Sequence, residues 1–266
     1  MPEPDILYGK PASVLITGAS SGIGAALAQH LAEHGGRLAL IARREDRLQE
    51  VARRVAARGA TPCVVPADVT DAEAVRLALE RVAAEQGPVD VAFLNAGVAD
   101  LMVLPRFDVA RMRRLFEVNL FGVLNCLEML LPDMISRGRG VIAVTSSLAA
   151  VRSLPGNGAY AASKAALSIL LDNLRADGRR FGLQVSIIEP GYVKSELTAR
   201  VKSPMPFMME ADDAARLIAQ GVADGRSLIR FPTPMTAAAQ VLRHLPAPLY
   251  DRVFARMLGL RKPADG

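Results

Sequence analysis

The chain reads as an α/β protein built on a doubly wound parallel sheet, and three observations lead there. Short aliphatic runs alternate with longer helical stretches along most of its 266 residues. The runs are continuously apolar rather than alternating, as strands covered on both faces must be. A glycine-rich turn, Thr17-Gly18-Ala19-Ser20-Ser21-Gly22-Ile23-Gly24, joins the first run directly to a helix.

Taken in order, strands are expected over 13–17 (Ser-Val-Leu-Ile-Thr), 38–41, 63–65, 89–94, 141–145 and 185–188. Helices are expected between them over 22–34, 46–58, 72–85, 108–135 and 158–180. Right-handed crossovers then stack helices on both faces, giving three α/β/α layers with the ligand crevice at the carboxyl ends of the strands. Past residue 200 the texture changes, and Pro204, Pro206, Pro232, Pro234, Pro246 and Pro248 punctuate the chain. A helix over 210–223, a strand over 228–231 and an apolar helical tail over 235–259 fit between them. Residues 1–266 are read as one domain: a core over 11–195, then a lid, last strand and tail over 196–266.

Composition narrows the class. Hydrophobic residues make up 51% and charged residues 22%, an ordinary globular balance that argues against disorder and coiled coil. Apolar stretches are interrupted well short of the ~20 residues of a membrane span. Residues 1–12 lack the apolar run of a secretory leader, so the cytoplasm is the expected location. Cys63 and Cys126, with no C-x-x-C or Cys/His cluster, read as buried reduced thiols, and no metal is expected. The net charge of +5 raises the question of nucleic acid. However, the arginines of 43–58 are interleaved with Glu45, Asp46 and Glu50, and aromatics are only 5% with no Trp. That describes a solvated helix face with few platforms for bases, so no nucleic-acid partner is expected.

The turn at 17–24 carries the first chemistry. Its glycines, spaced G-x-x-x-G-x-G, let backbone approach a pyrophosphate, and the helix that follows offers free N–H groups and a positive dipole end. In this fold that is where a dinucleotide sits. The second strand ends in Ala42-Arg43-Arg44, with no carboxylate before Glu45. A carboxylate there would take the 2′-hydroxyl of NAD, whereas arginine suits a 2′-phosphate, so the expected cofactor is NADP(H).

Tyr160 and Lys164 carry the second. Four residues apart on a helix, they share one face, and an ammonium there is expected to pull the phenol pKa down from ~10. Such a tyrosine can give or take the proton of a carbonyl–alcohol interconversion. Ser147 lies upstream, at the end of the 141–145 strand. Ser146 points to the other side if the strand continues, and Ser163 lies off the shared helix face, so neither is a candidate. His30, His34 and His244 read as helix or surface residues.

Together these residues resemble the short-chain dehydrogenase/reductase family in its simple, single-domain branch, over about residues 11–195 and in the family's order. The resemblance implies a Rossmann-like fold in which Thr17, Gly18, Ser20, Ser21, Gly22, Ile23 and Gly24 form the cofactor loop. Asp68-Val69 is similar to the pair that holds the adenine, and Asn95-Ala96-Gly97 to the motif ending the fourth strand. Pro190-Gly191, with Val193 and Ser195 beyond, resembles the segment near the nicotinamide. Asn119 resembles the family's catalytic asparagine, and Ser147, 13 residues before Tyr160, its catalytic serine. By the same resemblance Ser147 polarises the substrate oxygen, Tyr160 is the acid/base, Lys164 holds the ribose and Asn119 anchors a proton-relay water. Ala150, Ser195 and Leu94 depart from the usual Gly, Thr and Asn, and none removes a catalytic group. A homodimer or homotetramer on the helices at 108–135 and 158–180 is also implied.

Leu148, Val151, Leu154, Pro155 and Tyr192 are expected to ring a pocket, under a lid over 196–210 carrying Leu197, Met205, Phe207, Met208 and Met209. That lining suits an apolar ketone, aldehyde or secondary alcohol. The tail, with Val241, Leu242, Leu245, Leu249, Val253, Phe254, Met257 and Leu258 among Arg243, Arg252 and Arg256, is expected to pack on the protein rather than lie on a membrane surface. Two alternatives stay open: a sugar-nucleotide epimerase or dehydratase, which shares Y-x-x-x-K, and a non-catalytic dinucleotide sensor.

Overall fold

The computed structural model describes residues 7, 12–102, 104, 107–199 and 205–257. Pro204, Leu258 and the side chains of Arg256 and Met257 lie outside the described residues, as does most of 1–12. Seven strands form one parallel sheet in the order β3-β2-β1-β4-β5-β6-β7. They are β1 (Ser13–Thr17), β2 (Arg37–Ala42), β3 (Thr61–Pro66), β4 (Val91–Leu94), β5 (Gly140–Thr145), β6 (Leu183–Pro190) and β7 (Leu228–Phe231). The order reverses between β1 and β4, so their carboxyl ends open the crevice expected of a doubly wound sheet.

Successive side chains of each strand enter two separate cores. Val14 and Ile16 pack under α1 (Gly22–Ala32), α2 (Glu45–Ala56) and α7 (Ala211–Ala223) with Leu27, Leu48 and Ile218. Leu15, Ala39 and Ile41 face the other way, toward α3 (Ala72–Gln86), α5 (Gly122–Ser136) and α6 (Gly158–Gly178), with Leu79, Leu127 and Leu167. The central strands are covered on both faces, which is why they lack polar alternation, whereas the edge strands β3 and β7 keep exposed residues such as Thr61 and Leu228. Cys63 and Cys126 are both buried free thiols, on β3 and α5.

Register brings the site to one edge. Thr17 pairs with Leu94, Leu94 with Val144, and Thr145 with Ile188, so β1, β4, β5 and β6 end close together. The residues that follow each end, Gly18, Asn95, Ser146 and then Ser147, and Glu189–Pro190, therefore emerge at the crevice.

Two long helical expectations are broken in the structure. The stretch at 108–135 is α4 (Val109–Phe116), a π-helical turn (Glu117–Phe121) and α5. Asp108 caps α4 by accepting from Arg111 N at 3.1 Å. The run Val109–Ser136 is long and apolar enough to cross a membrane by length and composition, its most apolar 18-residue stretch having a mean hydropathy of 1.4. Here it packs on α3 and α6, with Leu115, Val123, Leu127, Leu130 and Met134 buried. The tail is two helices, α8 (Thr233–His244) and α9 (Ala247–Met257). Leu245 between them is extended, with ψ 127°, because a residue before proline is pushed out of the α region.

Candidate active site

The loop after β1 closes on itself as only glycines allow. Gly18 and Gly22 have φ of +67° and +54°, and a Cβ on Gly24 would lie 2.4 Å from the Gly18 carbonyl oxygen. Ser21, the N-cap of α1, makes no side-chain cap bond, and the first turn holds no acidic residue. The opening N–H groups of α1 are thus left for an anion, and the loop fits a pyrophosphate. Ala19 N donates to the Ile41 carbonyl at 3.2 Å, which fastens the loop to β2.

Polar side chains tie the strand ends together. Thr17 Oγ1 accepts from Asn95 N at 3.0 Å and Ala96 N at 3.1 Å. Asn95 Oδ1 accepts from Thr145 Oγ1 at 3.1 Å. Asp68 accepts from both the N and Oγ1 of Thr70 and lies 3.6 Å from Arg43. It is not the cap of α3; Asp71 is, through Glu73 N and Ala74 N. Val69 is buried, and its carbonyl accepts from Asn125 Nδ2 at 2.8 Å. Arg44 reaches back to the loop, donating to Ser20 Oγ at 3.2 Å and Ser21 Oγ at 3.0 Å, and pairs with Glu196 at 2.7 Å.

Ser147 stands in extended conformation at the start of a 3₁₀ turn (Leu148–Ala150), where its Oγ accepts from Ala149 N at 3.1 Å. Its hydroxyl hydrogen meets Tyr160, in a hydrogen bond that lowers the tyrosine pKa. Lys164 is buried and donates from Nζ to the Thr145 carbonyl at 2.7 Å. A Cβ on Gly97 would sit 3.4 Å from that Nζ and 3.3 Å from Asn119 Oδ1, so all three groups converge. Burial lowers the Lys164 pKa from 10.5 to about 8. Tyr160 differs from expectation: burial of its hydroxyl pushes the pKa up, and the hydrogen bond with Ser147 pulls it back. Desolvation is the larger cause, and the Lys164 ammonium is directed at the Thr145 carbonyl instead of the phenol.

Asn119, in the π-helical turn, is fully buried. It donates to the Val98 carbonyl at 2.9 Å and Ser163 Oγ at 3.0 Å, and accepts from Val98 N at 2.8 Å. Ser163 Oγ in turn donates to the Tyr160 carbonyl at 2.7 Å. Ser163 therefore belongs to the site's framework although it is off the Tyr160–Lys164 face. The signal for it is local: a helical serine commonly bonds a carbonyl three or four residues back. Ser146 also has a place, against Lys164 O at 3.1 Å and Ser168 Oγ at 2.7 Å. Beyond lie Glu189, 3.3 Å from Ser168, and Arg230, 2.6 Å from Glu189. Partners brought together by the sheet, from β5, α6, β6 and β7, have no signature in the sequence.

After β6, Gly191 N donates to the Phe231 carbonyl at 2.7 Å, and its missing Cβ would meet Met235 Sδ at 2.7 Å. Val193 is buried and bridges Met209. Ser195 N donates to Thr198 Oγ1 at 2.9 Å, and the Ser195 Cβ lies 3.0 Å from a Cβ placed on Gly22. The turn that begins the lid thus rests on the phosphate loop. Of the residues expected to ring the pocket, Leu148 is buried, Val151, Leu154 and Tyr192 half-buried and Pro155 exposed. Leu197, Phe207 and Met208 are exposed, whereas Met209 packs against the α1–α2–α7 core. The remainder of the expected lid, 200–204, lies outside the described residues. The tail packs on the segment after Ser147: Tyr250 hydroxyl donates to the Ser153 carbonyl, and the Arg152 guanidinium lies 4.3 Å from the Tyr250 ring centre.

Residues 12–206 match the family model described as short chain dehydrogenase. An uncharacterized oxidoreductase of Myxococcus xanthus (strain DK1622) is 40% identical over 245 residues, covering 92% of this chain and 97% of that protein. The alcohol dehydrogenase from the archaeon Thermococcus sibiricus, complexed with 5-hydroxy-NADP, is 29% identical with a TM-score of 0.76, over 83% of this chain and 95% of that one. A short-chain dehydrogenase/reductase from Burkholderia phymatum, in complex with NAD, is 25% identical with a TM-score of 0.82, over 97% and 98%. Fold and site thus define an oxidoreductase on a nicotinamide-dinucleotide fold. The chain belongs to the short-chain dehydrogenase/reductase family.

Proposed function

We propose that this chain is an NADP(H)-dependent oxidoreductase that interconverts an apolar ketone or aldehyde with its alcohol. The observation that carries the chemistry is the convergence of Ser147, Tyr160, Lys164 and Gly97 at the carboxyl ends of β4 and β5. The cofactor assignment is supported by Arg43 and Arg44 at the end of β2, with the Arg44 guanidinium on the loop hydroxyls and no carboxylate before Glu45.

The nicotinamide supplies or accepts the hydride when bound. Thr17 to Gly24 would hold the pyrophosphate, Asp68 and Val69 the adenine, Asn95 to Gly97 the adjoining ribose side, and Pro190, Gly191, Val193 and Ser195 the nicotinamide end. Ser147 would turn its hydroxyl hydrogen from Tyr160 to the substrate oxygen and stabilise the charge that grows there. Tyr160 gives its proton to that oxygen in reduction and removes it in oxidation. Lys164 would hold the ribose hydroxyls. Asn119 spends both Nδ2 protons on Val98 and Ser163. Oδ1, with one lone pair beyond the bond from Val98 N, is placed to anchor a relay water to Lys164. Leu148, Val151, Leu154 and Tyr192 supply apolar lining.

The chain works in the cytoplasm as a homodimer or homotetramer. Exposed Phe121 in the π-helical turn, and Ile169 and Leu170 on α6, support assembly through that face. A screen of NADPH and NADH oxidation against ketones and aldehydes graded by size and polarity tests the proposal. Turnover of apolar carbonyls with NADPH is expected. Tight NADPH binding with no turnover of any carbonyl would instead identify a sensor.

A further inference from the structure

The Arg44 guanidinium bridges three pieces of chain: the end of β2, the phosphate loop and the turn that starts the lid. One nitrogen donates to Ser20 Oγ at 3.2 Å and Ser21 Oγ at 3.0 Å, and the other pairs with Glu196 Oε2 at 2.7 Å. Arginine recognises a phosphate by presenting two parallel N–H groups, and here one edge is already given to a carboxylate. Glu196 is held in place by its own turn. Ser195 N and Ala199 N are bonded to Thr198 Oγ1 and Ser195 O at 2.9 Å each, and Thr198 Oγ1 donates to Val193 O at 2.8 Å. A cleft of about 320 Å³ opens beside the pair, lined by Ser20, Ser21, Arg47, Lys194, Ser195 and Glu196 among others. Arg43, beside it, is exposed and lies 3.6 Å from Asp68, away from Glu196.

We propose that Glu196 competes with the 2′-phosphate of NADP(H) for Arg44, which makes Glu196 a cofactor-specificity residue. The inference rests on the NADP(H) reading above and adds a residue outside the motifs that carry it. A phosphate dianion at Arg44 lies close to a second anion, so the carboxylate must turn away toward the cleft or carry the 195–199 turn with it. NADH brings no phosphate and leaves the pair intact. The phosphate thus displaces an internal rival before it gains its full contact, and the start of the lid registers which cofactor has bound.

Fluorescence titration of the whole protein with NADPH and NADH, in wild type and Glu196→Gln, tests this. Glu196 is exposed, so the variant is expected to fold. The result expected is NADPH binding about three- to tenfold tighter in Glu196→Gln, with NADH affinity unchanged. Titration with 2′,5′-ADP and 5′-AMP removes the nicotinamide and is expected to show the same split, with only the 2′-phosphorylated compound gaining. Unchanged or weaker NADPH binding, or an equal change for both cofactors, would overturn the competition and leave Glu196 a lid staple. NADH bound as tightly as NADPH in both wild type and Glu196→Gln would overturn the NADP(H) reading itself.

Discussion

Lys164 Nζ donates to the backbone carbonyl of Thr145 at 2.7 Å, which pins a buried ammonium to the last residue of β5, two positions before Ser147. The Thr145 hydroxyl meanwhile donates to Asn95 Oδ1 at 3.1 Å. One strand end therefore fixes the lysine, the serine and the start of the loop after β4 relative to each other.

Burial of Lys164 should be readable as pH-dependent stability. Its folded pKa of about 8 lies below the unfolded 10.5, so between these values the unfolded chain binds more protons and stability rises with pH. Relative to Lys164→Met, the wild type should gain on the order of 3 kcal/mol across that window, at about 1.4 kcal/mol per pH unit. Urea unfolding of both proteins from pH 7 to 11 measures it. A difference independent of pH would mean that the ammonium is well solvated.

Asn119 and Ser163 should behave as a coupled pair. Asn119→Ala removes three bonds, two to the half-buried Val98 amide and carbonyl and one to Ser163, and should cost about 1–3 kcal/mol, against about 1 kcal/mol for Ser163→Ala. In the double variant the losses should fall short of additive by about 0.5–1.5 kcal/mol, measured by denaturant unfolding. Strict additivity would dissolve the link from the π-helical turn to Tyr160.

Glycines in the loop and at the head of α6 should respond oppositely to alanine. Gly24→Ala drives a methyl to 2.4 Å from the Gly18 carbonyl, so the loop must open. NADPH affinity should fall at least about tenfold, with about 1–3 kcal/mol of stability lost. Gly158 begins α6 and has nothing within 4 Å of a built Cβ, so Gly158→Ala should be neutral or stabilising by up to about 1 kcal/mol. Titration and thermal unfolding of both variants check the contrast.

Tyr250 holds the segment after Ser147 from the far end of the chain. Tyr250→Phe removes the bond to the Ser153 carbonyl and should raise the substrate KM about threefold or more while leaving NADPH affinity unchanged. Sedimentation with anionic vesicles should leave the wild type in solution, since Phe254 is buried against the protein. Vesicle binding would favour the membrane-surface alternative for the tail.

Much of this fold is legible because its signals are local. Ser13–Thr17 and Leu228–Phe231 match the expected strands end to end: the first is a fully buried apolar run ended by Gly18, and the second is stopped by Pro232. Helix interiors are less legible. Nothing in the apolar run from 109 to 136 announces the π-helical turn, which depends on Asn119 reaching Val98 across the fold. The split at Leu245 has a local signal in Pro246, which pushes the residue before it out of the helical region. At the site, spacing finds Ser147, Tyr160 and Lys164. Ser163, Ser146, Glu189 and Glu196 escape it, because their roles come from register and packing. The expected fall in the Tyr160 pKa took account of charge and missed desolvation, which geometry alone supplies.

The central claim is that Tyr160 moves the proton while other residues hold the cofactor. Paired measurements on Tyr160→Phe, turnover of an apolar carbonyl with NADPH and fluorescence titration with NADPH, test it most directly. The result expected is a loss of turnover of about a thousandfold or more, with NADPH affinity within about a factor of two of wild type. Retained turnover in Tyr160→Phe would contradict it.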